Sequence, residues 1–274
     1  MGSGIAQVVA QAGLQVTVVE IDQRAADRGV SRIERGLKRL VERGRLSEPE
    51  ANDVRGRISI STSLEEVAAS VDHVIETVVE EISVKTTVLR RLDAICRDDV
   101  IFASNTSQFS ISQLAAVTKR PDRVIGSHWF NPPPVMNVVE LIRGLATSDE
   151  TLRTAVELAH RYGKETIVCQ KDTPGFITSR LIALLIVESA RIVEEGIASV
   201  EDVNKACRLA FGHAQGALDT ADLSGLDTVT HVVDALRDQY GERFLAPQIL
   251  RSLYNAGHFG RKTGRGFSVY PEVT

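Results

Sequence analysis

Residues 1–20, M-G-S-G-I-A-Q-V-V-A-Q-A-G-L-Q-V-T-V-V-E, decide how the chain is read. They read as a helix, a break at Gly13 and a short β-branched strand that ends in the acid Glu20. Outward from there, short Val/Ile-rich runs recur: R-I-S-I-S at 57–61, H-V-I-E at 73–76 and V-I-F-A-S at 100–104. Helical patterns at about 24–43 and 81–96 separate them, the first with Ile33, Leu37, Leu40 and Val41 at helical spacing. Strands alternating with segments long enough to cross over a sheet are the mark of βαβ units and parallel pairing.

From Arg123 the pattern becomes strand, proline turn, strand: V-I-G-S-H-W-F, then N-P-P-P, then V-M-N-V-V-E-L-I. Prolines fix φ and stop strand pairing, so this compact turn joins antiparallel strands. A helix near 150–162 and a last strand near 165–169 follow, and after Cys169 only helical patterns remain. K-D-T-P-G-F reads as a linker entering a helix, with Thr173 as N-cap and Pro174 at the first helical position. That helix, about 176–195, is apolar on most of its circumference, which predicts burial on several sides. Further helices fit 199–210, capped by Ser199, then 225–239 and 246–255. The expected architecture is a Rossmann-type α/β domain with a mostly parallel sheet over 1–171, followed by an all-α domain over 172–274.

Composition narrows the function. The chain has 274 residues, 43% hydrophobic and 25% charged, enough for two ordinary cores. A formal charge of -4 argues against a sequence-independent nucleic-acid binder, which needs many cations for phosphates. Cys96, Cys169 and Cys207 are odd in number and far apart, which signals neither a disulfide framework nor a zinc site and fits a reducing cytoplasm. The longest apolar run, Leu181 to Val187, is far short of a membrane span. His73, His160, His213, His231 and His258 show no metal-ligand spacing.

Three patterns carry chemistry. Glu20 falls eighteen positions after Gly2, near the spacing at which an acid holds the ribose hydroxyls of a dinucleotide, and a carboxylate there favours NAD over NADP. Gly2 stands where the third glycine of G-x-G-x-x-G would be. The reading therefore expects a further strand with the first two glycines upstream of Met1, lying between the strand ending at Glu20 and the one at His73, and takes Met1 as an internal methionine of that motif. Second, S-N-T-S at 104–107 directly follows a buried strand, at the sheet edge where α/β folds bind ligands; it is equally a turn that caps the next helix. Third, the midpoint of His128 and Glu140 is Pro134, inside the proline turn, so an antiparallel pairing centred there sets imidazole opposite carboxylate. Such a carboxylate fixes the tautomer and stabilises the imidazolium of a general base; the same pair also serves merely to stitch a hairpin.

Together, M-G-S-G-I-A-Q, S-N-T-S, H-W-F-N-P-P-P-V-M with V-V-E-L-I, K-D-T-P-G-F and G-R-K-T-G-R-G-F resemble, in order and over essentially the whole chain, the motifs of the 3-hydroxyacyl-CoA dehydrogenases, including bacterial 3-hydroxybutyryl-CoA enzymes. The resemblance implies reversible NAD-linked interconversion of (S)-3-hydroxyacyl-CoA and 3-oxoacyl-CoA by a homodimer joined through its helical domain. It implies His128 as general base, Glu140 as its orienting partner, Ser107 as donor to the reacting oxygen, and Asn131 beside nicotinamide and substrate. Gly2, Glu20, Glu80 and Lys85 then fall on the cofactor side. Cations for the phosphates of the acyl-CoA are expected from the helix bearing Lys38, Arg39 and Arg43, a basic run that also reads as a solvated helix face. Ser179 replaces an asparagine usual in the family's P-G-F-x-x-N-R, which bears on acyl preference. Two other readings keep parts of this pattern: a dehydrogenase of a free 3-hydroxy acid, of the gulonate or carnitine type, and a noncatalytic helical dimer that has lost its cofactor.

Overall fold

The computed structural model describes residues 1–271. The chain folds as two compact units, with the boundary between Asp172 and Thr173.

The first unit runs α1 (Gly2–Gln11), β1 (Val16–Val19), α2 (Gln23–Glu42), α3 (Glu48–Gly56), β2 (Ile58–Ser61), α4 (Leu64–Ala68) and β3 (His73–Glu76). It continues with α5 (Ile82–Ile95), β4 (Ile101–Ser104), α6 (Ile111–Ala115), β5 (Val124–Trp129), β6 (Val138–Arg143), α7 (Asp149–Arg161) and β7 (Glu165–Cys169). Local chemistry sets the boundaries. Gly13, at φ 83°, supplies the left-handed residue that ends α1 and turns the chain into β1. Asp22 accepts from Ala25 N at 2.7 Å to start α2. At α3, Ser47 and Glu50 form a reciprocal capping box. The short helices α3, α4 and α6 are additions to the sequence reading; five to nine residues carry too little periodicity to announce themselves.

The sheet is mostly parallel, in two parts. β1 pairs with β2 in one, and β3-β4-β5-β6-β7 forms the other. In the larger part only β5 and β6 are antiparallel, joined by the proline turn. β1 and β3 are each an end strand. Two apolar clusters match this division. Ile5, Val8 and Val9 of α1 pack with Ile101, Ala103, Ile125, Val139 and Leu141 of the larger sheet. Ala10, from the same helix, packs with Ile33, Leu37, Val54 and Ile58 beside the smaller one.

The second unit contains α8 (Thr178–Glu194), α9 (Val200–Leu209), α10 (Ala217–Ser224), α11 (Leu226–Tyr240) and α12 (Gln248–Asn255). Its core gathers Ile186 and Val187 of α8, Val229, Val233 and Leu236 of α11, Phe244 and Leu250. Two expectations are corrected here. Thr173 is not an N-cap and Pro174 is not helical: Gly175 and Phe176 take φ of 74° and 48°, and this left-handed turn delays the helix to Thr178. Nor is α8 buried all round, for Leu181 and Leu184 are 64% and 40% exposed within this chain. Among the described residues no helix is long and apolar enough to cross a membrane.

Candidate active site

β5 and β6 pair so that His128 stands directly opposite Glu140. Opposed side chains share a sheet face, and here Nδ1 of His128 lies 3.0 Å from Oε2 of Glu140. The Glu140 side chain is fully buried and that of His128 is 11% exposed. An ionised carboxylate only accepts hydrogen bonds, so the pairing places the imidazole proton on Nδ1 and leaves the lone pair on Nε2. Phe130 flanks the ring, with centroids 4.8 Å apart. The imidazole lines a cavity of about 280 Å³ together with Thr77, Glu80, Asn105 and Ser107.

The S-N-T-S segment forms another wall of that cavity, and each of its four residues is held. Ser104 Oγ donates to Glu76 Oε2 at 2.6 Å. Asn105 Oδ1 accepts from Trp129 N at 2.9 Å, tying the end of β4 to the strand that carries His128. Thr106 Oγ1 and Ser107 N both donate to Glu80 Oε1, at 2.5 and 2.9 Å. The turn is thus pinned by a carboxylate rather than left to cap α6, whose N-cap is Ser110.

Behind this wall lies an ion array. Lys85 Nζ is 3.0 Å from Glu76 Oε1 and 3.0 Å from Glu80 Oε2. Lys85 is 1% exposed and Glu76 3%, while the Glu80 side chain is 30% exposed and faces the cavity. Lys85 therefore supports Glu80 from behind and does not itself line the cavity.

Asn131 and Arg43 belong to a second, larger cavity of about 550 Å³, which also takes in Arg32, Arg39 and the prolines of the N-P-P-P turn. The peptide between Asn131 and Pro132 is cis. Lys164 holds this turn: Nζ donates to the carbonyls of Pro133 and Met136 at 2.8 and 2.7 Å. Burial draws the Lys164 pKa below the usual lysine value. Of the basic residues expected on α2, Lys38 instead lies outside the cavity, 3.9 Å from Glu42. Met1 borders both cavities.

Of the residues singled out in the sequence, His128, Ser107 and Glu80 meet in one cavity, with Glu140 directly behind His128 and Lys85 behind Glu80. Asn131 and Arg43 meet in the other. Gly2 and Glu20, at the start of α1 and just after β1, line neither. Ser179 lies in α8 of the second unit. Sequence reasoning missed Glu76, Asn105, Lys164 and Arg32. Asn105 lies inside the S-N-T-S motif that the sequence points to, and Glu76 closes a Val/Ile strand as many strand-end acids do, while nothing in the sequence marks Lys164 or Arg32.

The residues present fit a dinucleotide. No side chain caps α1 and no acid occupies its first turn, so its N-terminus suits a pyrophosphate. A Cβ on Gly2 would sit 2.8 Å from Thr77 Oγ1, so the start of α1 approaches the β3 edge as closely as glycine permits.

Comparisons with known proteins agree over the full length. Residues 1–173 match the model of the 3-hydroxyacyl-CoA dehydrogenase NAD binding domain, and residues 175–270 that of the 3-hydroxyacyl-CoA dehydrogenase C-terminal domain. The chain is 44% identical to a Bacillus subtilis protein named "Probable 3-hydroxybutyryl-CoA dehydrogenase", covering 100% of this chain and 95% of that one. It is 39% identical to a 3-hydroxybutyryl-CoA dehydrogenase of Mycobacterium tuberculosis, with 98% and 95% covered. Its structure resembles the crystal structure of the (S)-3-hydroxybutyryl-CoA dehydrogenase of Ralstonia eutropha, with a TM-score of 0.94, 41% identity, and 99% and 96% covered. The chain belongs to the 3-hydroxyacyl-CoA dehydrogenase family.

Proposed function

We propose that this chain interconverts (S)-3-hydroxyacyl-CoA and 3-oxoacyl-CoA with NAD, using His128 as the general base. The observation that carries the reading is the His128–Glu140 pair, in register and at 3.0 Å, opening on a cavity shared with Ser107. Bound there, NAD would supply the acceptor for the hydride that leaves C3 of the substrate. The protein moves the proton: Nε2 of His128 takes it from the C3 hydroxyl, and Glu140 stabilises the imidazolium that forms. The Ser107 hydroxyl donates to the same oxygen and holds it toward His128. In the reducing direction the imidazolium returns the proton to the new alkoxide.

The second cavity supports a CoA thioester over a free acid. Arg32, Arg39 and Arg43 line it without an acidic residue among its walls, which suits the phosphates of a CoA. Glu20, following β1, takes the adenosine ribose. Homodimerisation through the second unit is supported by apolar side chains open to solvent in the single chain, among them Leu181, Leu209 and Phe211. A cytoplasmic setting is supported by three buried, unpaired cysteines.

The test is oxidation of NADH, followed optically, with acetoacetyl-CoA against free acetoacetate. Turnover that strongly prefers the thioester is expected. Faster turnover of the free acid overturns the CoA assignment. No turnover of either by a well-folded dimer that gives no heat with NADH overturns the enzymatic reading.

A further inference from the structure

The array behind the cavity wall has more carboxylates than its support role needs. Lys85 Nζ lies at the same distance, 3.0 Å, from Glu76 and from Glu80. One ammonium thus serves two carboxylates, and the cluster carries a formal charge of one negative unit. Other donors reach it, namely Ser104 Oγ and Val78 N on Glu76, and Thr106 Oγ1 and Ser107 N on Glu80, but all four are neutral. Hydrogen bonds from neutral groups spread the charge without cancelling it. The cluster is almost wholly out of water, except where the Glu80 side chain faces the cavity that holds His128 and Ser107. Low local polarisability lets such a charge act over several ångströms.

If Lys85 answered Glu80 alone, the Glu80 side of the wall would be neutral. Glu76 shares that ammonium, and so leaves part of the Glu80 charge uncompensated at the wall. Hydride transfer requires the nicotinamide ring in van der Waals reach of the carbon whose oxygen His128 and Ser107 hold, which puts the ring in this same cavity. The ring is cationic when oxidised and neutral when reduced. A negative wall therefore acts on the two forms differently.

We infer that Glu76 tunes cofactor redox preference: by dividing the Lys85 charge it keeps Glu80 partly uncompensated, and so favours binding of NAD+ over NADH. Glu76 lines neither cavity, and acts through Lys85 and Glu80 as an electrostatic positioning residue. This inference rests on the nicotinamide site proposed above.

Glu76→Gln keeps the shape and removes the charge. The affinities for NADH, by its fluorescence, and for NAD+, by competition against NADH, are measured on the full chain. The ratio of the two dissociation constants is the readout, because loosening of the Ser107 turn weakens both forms alike and leaves the ratio fixed. NAD+ is expected to weaken about tenfold relative to NADH, the size expected of a unit charge at a few ångströms in a partly screened site. Glu80→Gln, whose side chain is already part-exposed, must move the ratio in the same direction and serves should Glu76→Gln not fold. A ratio unchanged within twofold, with both nucleotides still bound, overturns the inference and leaves the dehydrogenase reading intact. A native chain that binds neither nucleotide overturns both.

Discussion

Exchanging Glu140 for glutamine changes one atom and reverses what the side chain asks of its neighbour. The amide can offer N–H to Nδ1 of His128, which moves the imidazole proton to Nε2, the position from which the proposed base would act. Glu140→Gln is expected to lower kcat about 100-fold or more with KM little changed, and initial-rate kinetics with acetoacetyl-CoA checks it. Ser107→Ala, which removes the hydroxyl proposed to hold the reacting oxygen, is expected to cost about 10- to 100-fold in the same assay. At this scale the sequence was most informative about His128 and Glu140, because a single symmetric turn fixes both residues by counting outward from Pro134. Nothing comparable reveals Glu76. H-V-I-E reads as an ordinary strand, and its partner Lys85 comes nine residues later on α5, where only folding brings the two charges together.

Among the elements, the proline turn is held by a residue from another part of the chain. Lys164, between α7 and β7, satisfies the carbonyls of Pro133 and Met136 and is 5% exposed. Lys164→Met leaves both acceptors without that donor, with an expected destabilisation of about 2–3 kcal/mol by urea titration. Because the turn also lines the arginine cavity, KM for the CoA substrate should rise more than kcat falls. The end of α5 is fastened in the same manner. Arg120 Nε donates to Asp93 at 2.8 Å, and Nη2 donates to the carbonyls of Asp93 and Cys96, each at 3.1 Å. Arg120→Met strands a buried carboxylate and should cost about 3–5 kcal/mol in the same titration. The strands were legible from their β-branched runs, and helices α2, α5 and α7 because they repeat their period often enough to be counted. The start of α8 was not, since Thr173 and Pro174 satisfy the rules for a helix start while the left-handed Gly175 and Phe176 postpone it.

For the molecule as a whole, His73 is one group through which acid lowers stability. Its Nδ1 is sealed from solvent without a hydrogen-bond partner, although the residue as a whole is only half-buried, and burial pushes its pKa down to about 4. In the unfolded chain a histidine titrates near 6.5. Between these values the unfolded state binds a proton that the native state does not, so native stability is full above about 6.5 and declines as pH falls toward 4. The loss is up to about 3 kcal/mol, and less to the extent that water reaches the ring. Denaturation midpoints at pH 7 and pH 5 should therefore differ more for the native chain than for His73→Leu.

Burial along the strands has a dynamic consequence. β4, β5 and β6 are almost wholly buried, whereas β1 and β2 are mostly half-buried or exposed. Amide hydrogens of β1 and β2 should therefore exchange with deuterium sooner than those of β4 to β6. A dinucleotide seated on Glu20 would shield the end of β1 and slow that exchange selectively.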